Sequence, residues 1–175
     1  MTNTERSFRD KWEKNEKAFF EITNKEGSEI QNWILNRNGW KDLKELREFL
    51  KNKKRILDAG CGNGRVTKLL RENSPCETEI IGIDLVSASI AHKNLKGYKN
   101  IFFYERDLLS NLRDLGKFDF IYCQEVLHHT KDPRTAFNNL IQILEEEGII
   151  AIYVYKKKAP IREFTDDYIR NIIKK

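Results

Sequence analysis

The chain has few of the residues that mark disulfide-rich, metal-binding or membrane proteins. Its 175 residues include 3 cysteines, Cys61, Cys76 and Cys123. Because the number of cysteines is odd and no two of them have the close spacing of paired metal ligands, we expect neither a disulfide framework nor a metal site. No run of about 18 apolar residues occurs, and residues 1–17 are charged where a secretory signal needs an apolar stretch. These absences predict a soluble, cytoplasmic protein.

The net charge of +5 is unevenly distributed along the chain. Residues 1–54 carry 13 basic and 10 acidic side chains, residues 55–154 carry 12 and 14, and residues 155–175 carry 7 and 3. Nucleic-acid binders usually show a basic stripe with interleaved aromatic residues, whereas the dense basic run at 156–158 has none interleaved. Nucleic acid is therefore disfavoured as a partner.

The pattern of apolar residues changes at Arg55. Before it, Phe8, Trp12 and Phe19 recur at helical spacing, and Asp42 precedes an amphipathic stretch, LKELREFL. After it, short apolar runs alternate with helical stretches, which is typical of βαβ units and predicts a doubly wound, mostly parallel α/β sheet. The five predicted strands are RILDA, EIIGID, NIFFYE, FDFIYC and IIAIYVY.

The helix before the fifth strand carries its own boundary signals. Asp132 is an N-cap residue, Pro133 suits the first turn, and Gly148 is predicted to end the helix. We divide the chain into an N-terminal helical cap (1–54), an α/β core (55–155) and a basic C-terminal helix (156–175).

The most informative motif is the glycine loop in ILDAGCGNGRV. An apolar strand ends at Asp58 and continues through Gly60, Gly62 and Gly64 into a helix, whose N-terminus can bind an anion or a carboxylate. The next strand ends in Asp84, 20 residues beyond Gly64, where a carboxylate can accept both hydroxyls of a ribose. The alternatives are a tight turn without a ligand and a solvated acid at a strand end.

The string D-A-G-C-G-N-G resembles motif I of the class I S-adenosylmethionine-dependent methyltransferases. The dinucleotide fingerprint G-x-G-x-x-G fails at Arg65, which stands where its last glycine would be. The segment CQEVLHH, followed by a helix that begins with DP, resembles the small-molecule branch called type 11 methyltransferases. The resemblance covers about residues 55–155 and implies S-adenosylmethionine as cofactor, S-adenosylhomocysteine as product and a small-molecule methyl acceptor.

The resemblance also implies roles for particular residues. Asp58 and the loop from Gly60 to Gly64, including Cys61 and Gly62, would border the methionine part of the cofactor, and Asp84 would bind the ribose. Leu85 and Leu108 would pack on the adenine, and Asp107 would meet its amino group. Gln124 would close over the methionine moiety.

His128 and His129 are the candidate catalytic residues, since a histidine can take a proton from the acceptor. The alternative is that they only hold the turn, with catalysis arising from placement of the two reactants. Cys61 is expected to pack under the loop. Other side chains are predicted either to pack within the fold or to border the ligands, and these are Phe8, Trp12, Phe19, Phe20, Trp33, Trp40, Tyr153, Tyr155 and Arg162.

The class I sheet normally has seven strands, and only five can be placed here. We therefore expect a core that lacks the last two strands, in a fragment of a longer protein. The fifth strand would form an exposed sheet edge, which predicts homodimerisation through that edge or shielding by the last helix. Two rival functions stay open: an NAD(P)-dependent oxidoreductase, and a non-catalytic module that binds RNA or protein.

Overall fold

A computed structural model of the chain shows a parallel sheet with helices on both faces, and it describes residues 3–14, 16–17 and 19–155. The strands are β1 (Arg55–Ala59), β2 (Glu79–Asp84), β3 (Ile101–Glu105), β4 (Phe118–Gln124) and β5 (Leu144–Tyr153). The helices are α1 (Asn3–Lys14), α2 (Phe20–Thr23), α3 (Glu29–Arg37), α4 (Leu43–Leu50), α5 (Arg65–Glu72), α6 (Ala88–Asn94) and α7 (Pro133–Gln142). Short 3₁₀ turns lie at Arg113–Leu115 and Leu127–His129.

The strand order is β3-β2-β1-β4-β5, and every neighbouring pair is parallel. The chain thus moves outward from β1 to β3 and then returns to add β4 on the other side of β1. In sheets of this type, ligands bind beyond the carboxyl ends of the strands where the order reverses. The predicted α/β fold and its five strands are confirmed, and the topology directs attention to the ends of β1, β2 and β4.

Both faces of the sheet are covered, which explains the continuous apolar runs in its strands. Ile56 and Phe120 pack in one core with α3, α4 and α5, whereas Leu57 and Ile121 pack in a second core with α7. Strands buried on both faces have little tolerance for polar residues, so the buried Asp58 near the end of β1 stands out.

The N-terminal helices pack against the sheet. Leu46 and Leu50 of α4 are fully buried, and Asp42 caps this helix, because the backbone N–H of Glu45 donates to Asp42 Oδ1 at 2.9 Å. The predicted helical spacing is correct for Phe8 and Trp12, which lie on α1. It is wrong for Phe19, which lies between α1 and α2 with left-handed backbone (φ 56°).

The boundary between α7 and β5 differs from the prediction. Asp132 caps α7 and Pro133 begins it, as expected, but the helix ends at Gln142 and Gly148 lies inside β5. Ile143 is buried and its carbonyl accepts from the N–H of Phe118 at 2.9 Å. Pairing with β4 therefore starts directly after the helix, and the exposed acidic residues 145–147 are accommodated by a shift in strand register instead of a longer helix.

Strand β5 is an edge of the sheet among the residues that the structure describes. The predicted dimerisation through this edge, or its shielding by the last helix, stays a prediction, since residues 156–175 lie outside the described ranges. The division of the chain into three parts also stays a prediction. None of the described helices combines the length and apolar character that crossing a bilayer requires.

Candidate functional site

A cavity of about 390 Å³ opens at the carboxyl ends of the central strands, where the topology predicts a ligand site. Its wall combines the glycine loop, the ends of β2 and β4, the segment after β3, and side chains from α1, α3 and the end of β5. This volume is in the range of small-molecule sites. Among the described residues, no group of three or more acidic, histidine or cysteine side chains is arranged to hold a metal ion.

The glycine loop depends on backbone that other residues would strain. Gly60 has φ +86°, and a Cβ placed on it would lie 2.2 Å from a methyl carbon of Val126. Gly62 has φ +56°, and a Cβ there would meet the Trp12 ring at 2.9 Å. The N–H groups of Gly60 and Cys61 both donate to the carbonyl of Ile83, at 2.7 and 3.0 Å, which fixes the loop to the end of β2.

Asp84 faces the glycine loop across the cavity. Its Oδ2 accepts from the N–H of Gly62 at 3.1 Å, and its Oδ1 accepts from the N–H groups of Val86 and Ser87 at 2.9 and 3.0 Å. These three donors fix the carboxylate at the cavity wall, and its oxygens keep lone pairs for a ligand. The first two parallel strands therefore end side by side, with the loop and the acid in contact.

Asp58 is the buried acid of the site. It is 2% exposed, and Thr67 donates its hydroxyl hydrogen to Asp58 Oδ2 at 2.6 Å. Burial, opposed in part by this hydrogen bond and reinforced by the charge of Asp84, raises the pKa of Asp58 to about 7. The carboxyl group is thus poised between its neutral and charged forms near neutral pH, at the inner wall of the cavity.

The other residues predicted to bind the cofactor also line the cavity, with one exception. Leu85, Asp107, Leu108 and Gln124 all contribute to its wall, as do Asp58, Gly60, Cys61, Gly62 and Asp84. Gly64 does not border the cavity; it is the N-cap residue of α5, with φ +84°. The side chain of Gln124 is held at both ends, since its Oε1 accepts from the Tyr122 hydroxyl at 3.1 Å and its Nε2 donates to Asn38 Oδ1.

Helix α1 and the residues after it lie across the mouth of the cavity. Trp12 contacts Gly62, and the ring of Phe8 packs edge-on against His129 with centroids 4.9 Å apart. Beyond the helix, the carbonyl of Glu16 accepts from the side-chain amides of Asn63 and Asn94, both at 3.0 Å. This segment therefore contacts the loop, α6 and the turn after β4.

The side of the cavity beyond Gln124 contains a stacked cation. The guanidinium carbon of Arg37 lies 3.2 Å from the Trp33 ring centroid and 3.6 Å from that of Tyr153. Arg37 Nη1 is 3.0 Å from Oε1 of Glu125, whose backbone is left-handed (φ 64°). Neither Arg37 nor Glu125 was predicted from the sequence as a site residue. The i, i+4 spacing of Trp33 and Arg37 on a helix was the available signal.

The two candidate histidines occupy different positions. His129 lines the cavity, whereas His128 does not and is stacked between the rings of His129 and Tyr155, at centroid distances of 4.1 and 4.4 Å. Neither ring nitrogen of His128 has a hydrogen-bond partner among the described residues. Burial lowers the pKa of His128, against the charge of Glu125, so this ring favours its neutral form.

The remaining candidates divide between cavity and core. Phe8, Trp12 and Trp33 line the cavity together with Tyr155, while Phe20 and Trp40 are buried in the fold and Phe19 is 57% exposed. Tyr153 contacts Arg37 from the end of β5. Cys61 is buried, as expected for packing under the loop, and burial raises the pKa of its thiol. Arg162 lies outside the described residues.

Proteins of known sequence or structure resemble the chain over most of this fold. It is 29% identical to the juvenile hormone acid O-methyltransferase of Bombyx mori, over 67% of this chain and 45% of that protein. It is 28% identical to the ubiquinone biosynthesis O-methyltransferase of Glaesserella parasuis, over 61% of this chain and 47% of that protein. The chain thus spans less than half the length of these curated relatives.

The fold is similar to that of the N-methyltransferase NodS from Bradyrhizobium japonicum, solved with S-adenosyl-L-homocysteine. The TM-score is 0.65 at 20% identity, over 86% of this chain and 72% of that one. A family model described as a methyltransferase domain matches residues 32–169. This match confirms the predicted family and removes the support for the oxidoreductase alternative: the chain belongs to the methyltransferase-domain family.

Proposed function

We propose that this protein transfers a methyl group from S-adenosylmethionine to an oxygen, nitrogen or carbon atom of a small-molecule acceptor. The observation that carries the proposal is the contact between the glycine loop and Asp84 at the carboxyl ends of β1 and β2. Bare backbone on one side of a cavity and an acid on the other suit a nucleoside with an amino-acid arm.

The residues of the cavity fit this cofactor. Gly60 and Gly62 contribute bare backbone to the cavity wall, and α5, which follows the loop, would present its positive N-terminal end to the carboxylate of the amino-acid arm. Asp84 would accept the ribose hydroxyls. Further contacts are proposed for Leu85, Asp107 and Leu108 on the adenine, and for Asp58, Cys61 and Gln124 around the methionine moiety.

When bound, the cofactor supplies a methyl group on a sulfonium, and an acceptor lone pair forms the new bond while the sulfonium becomes a neutral thioether. The protein's contribution is to bring the two reactants together, which can supply as much as about 7–11 kcal/mol in favourable cases. An oxygen or nitrogen acceptor must also release a proton. We assign His129 as its recipient, since this imidazole lines the cavity and His128 does not.

Calorimetry with S-adenosylhomocysteine tests the cofactor site. Because each hydrogen bond to a charged group contributes about 1.5–3 kcal/mol, Asp84→Ala should weaken binding about 10- to 100-fold. Asp84→Asn keeps the shape of the side chain and one acceptor oxygen, so this variant should lose less affinity for S-adenosylhomocysteine. Absence of binding to the wild-type protein, or equal affinity in the Asp84→Ala protein, would contradict the proposal.

The relatives support a small-molecule acceptor, since their names refer to juvenile hormone acid and ubiquinone biosynthesis. Three free cysteines, one of them the exposed Cys76, are consistent with the reducing cytoplasm.

Homodimerisation through β5 is proposed because an edge strand offers unpaired backbone groups. Light scattering should then give twice the chain mass, and a monomer at all concentrations would contradict it.

A further inference from the structure

We infer that Glu125, held in place by Arg37, recognises the methyl acceptor, and that this acceptor is a planar compound that donates a hydrogen bond, such as a phenol, and not a carboxylic acid. The inference rests on the proposed function and concerns the same cavity. It assigns a specificity-determining role to Glu125 and a positioning role to Arg37.

The position of Arg37 is fixed from three directions. Two ring centroids within 4 Å of one guanidinium carbon can only be accommodated on the two faces of that planar group. Its edge is then directed at Glu125, and only 11% of the Arg37 side chain is exposed. Stacking on aromatic faces leaves the edge N–H groups available for a carboxylate, a geometry that lysine cannot reproduce.

Glu125 is held in a conformation that an ordinary loop residue avoids. Its φ of 64° lies in the left-handed region, which is strained for a residue with a side chain. The backbone N–H of Glu125 donates to the carbonyl of Tyr153 at 2.9 Å, so β5 helps to maintain the strained conformation. The result is a carboxylate on the cavity wall, directly after Gln124, with its side chain 26% exposed.

The neighbours of Glu125 favour a flat acceptor. Tyr155 lines the same cavity, and burial followed by the charge of the Glu125 carboxylate raises the pKa of Tyr155. From Tyr155 the rings of His128 and His129 continue to Phe8, each in contact with the next. The rings of Tyr155, His129 and Phe8 and one preformed carboxylate therefore form the cavity wall beyond the residues proposed to bind the cofactor.

This wall distinguishes acceptors by their polar group. A phenol hydroxyl can donate to Glu125, and such a hydrogen bond to a charged group is among the stronger ones. A carboxylate in the same place would face a like charge, and the nearest guanidinium, Arg37, is already paired with Glu125. Catechol and benzoate share one ring and differ in this group, so they are matched probes.

Ligand-observed NMR titration of catechol and of benzoate into the protein saturated with S-adenosylhomocysteine tests the inference. Catechol should bind at least about 10-fold more tightly than benzoate, and Glu125→Gln should weaken catechol about 10-fold. Glu145→Gln makes the same change at an exposed site on β5 and should leave both affinities unchanged. Equal or tighter binding of benzoate, no binding of either probe, or an unaffected Glu125→Gln variant would overturn the inference.

The role of Arg37 is tested by a double-mutant cycle. Arg37→Ala should lower the affinity for catechol as much as Glu125→Gln does. The double variant should bind catechol no more weakly than either single variant, because Arg37 acts through Glu125. Additive losses would overturn the positioning role, and Arg37→Lys repeats the cycle if Arg37→Ala does not fold. Affinity for S-adenosylhomocysteine should stay within about 3-fold throughout; if wild type does not bind it, the proposed function fails instead.

Discussion

The two ends of the cavity are formed by different kinds of groups, main-chain groups at one end and side chains at the other. At the glycine end, the cavity wall consists of main-chain groups joined to the sheet: the N–H groups of Gly60 and Cys61 donate to Ile83, and that of Gly62 donates to Asp84. At the other end, it consists of side chains from α3, the turn after β4 and the end of β5, stacked around Arg37. Substitutions at the glycine end should therefore reduce both the folding stability and the affinity for the cofactor. Substitutions at the other end should alter only the binding and reaction of the methyl acceptor.

Gly60→Ala should produce the largest effect and should affect both properties at the glycine end. The new Cβ would lie 2.2 Å from Val126 on backbone at φ +86°. Left-handed strain and overpacking each cost about 1–3 kcal/mol. We expect the free energy of unfolding to fall by about 2–5 kcal/mol, and calorimetric binding of S-adenosylhomocysteine to be lost.

Gly39→Ala is the matched control for this change. Gly39 has nearly the same backbone angle, φ +79°, but nothing lies within 4 Å of its Cβ position. Only the backbone cost should remain there, about 1 kcal/mol, with cofactor affinity intact. Equal losses of stability in both variants would show that contact with Val126 is not what makes the loop intolerant.

His129→Gln should have the opposite effect to Gly60→Ala: it should lower the reaction rate and leave cofactor binding intact. If this imidazole takes the acceptor proton, kcat for a phenol acceptor should fall at least about 100-fold, while affinity for S-adenosylhomocysteine stays unchanged. His92→Gln, an exposed histidine on α6 outside the cavity wall, serves as control. An unchanged kcat would assign catalysis to placement of the reactants alone.

The expected effect with the smallest change per step is a gradual pH dependence that originates at Asp58. Since its pKa rises from 3.8 in the free side chain to about 7 in the fold, the folded state keeps a proton that the unfolded chain has released between these values. Raising the pH through this window therefore destabilises the fold, by at most about 1.4 kcal/mol per pH unit, and the loss levels off above the folded pKa. Urea unfolding at a series of pH values measures this slope.

Asp58→Asn isolates this contribution, because asparagine keeps an oxygen for the Thr67 hydroxyl and does not titrate. The variant should therefore lose that part of the slope. The positively charged S-adenosylmethionine should also bind the wild-type protein more tightly as Asp58 ionises. An identical slope in both proteins would show that Asp58 is already charged at low pH.

The glycine end could be predicted from the sequence because its determinants are local. A loop whose backbone needs positive φ requires glycines at fixed positions in the sequence. Two neighbouring parallel strands place Asp58 and Asp84 together near their carboxyl ends. The capping residue Asp132 is an equally local determinant and was predicted correctly. Gly148 was misread because the burial of Ile143, a tertiary effect, ends α7 before the local helix signals do.

The other end could not be predicted because distant segments form it. Arg37 and Glu125 are 88 residues apart, and their contact needs α3 and the turn after β4 to meet. Neither residue type is unusual in such positions, and a lone arginine near the end of a helix is most often solvated. Only the topology of the sheet, which brings β4 next to β5, places Tyr153 beside Arg37 and completes the stack.

The three tryptophans of the chain occupy different parts of this arrangement. Trp12 touches Gly62, Trp33 stacks on Arg37, and Trp40 is 8% exposed within the core. The molecule thus carries two intrinsic fluorophores that report separately on the opposite ends of one pocket, and a third that serves as an internal reference. Emission spectra of single-tryptophan variants can therefore reveal which half a compound occupies before its chemistry is known.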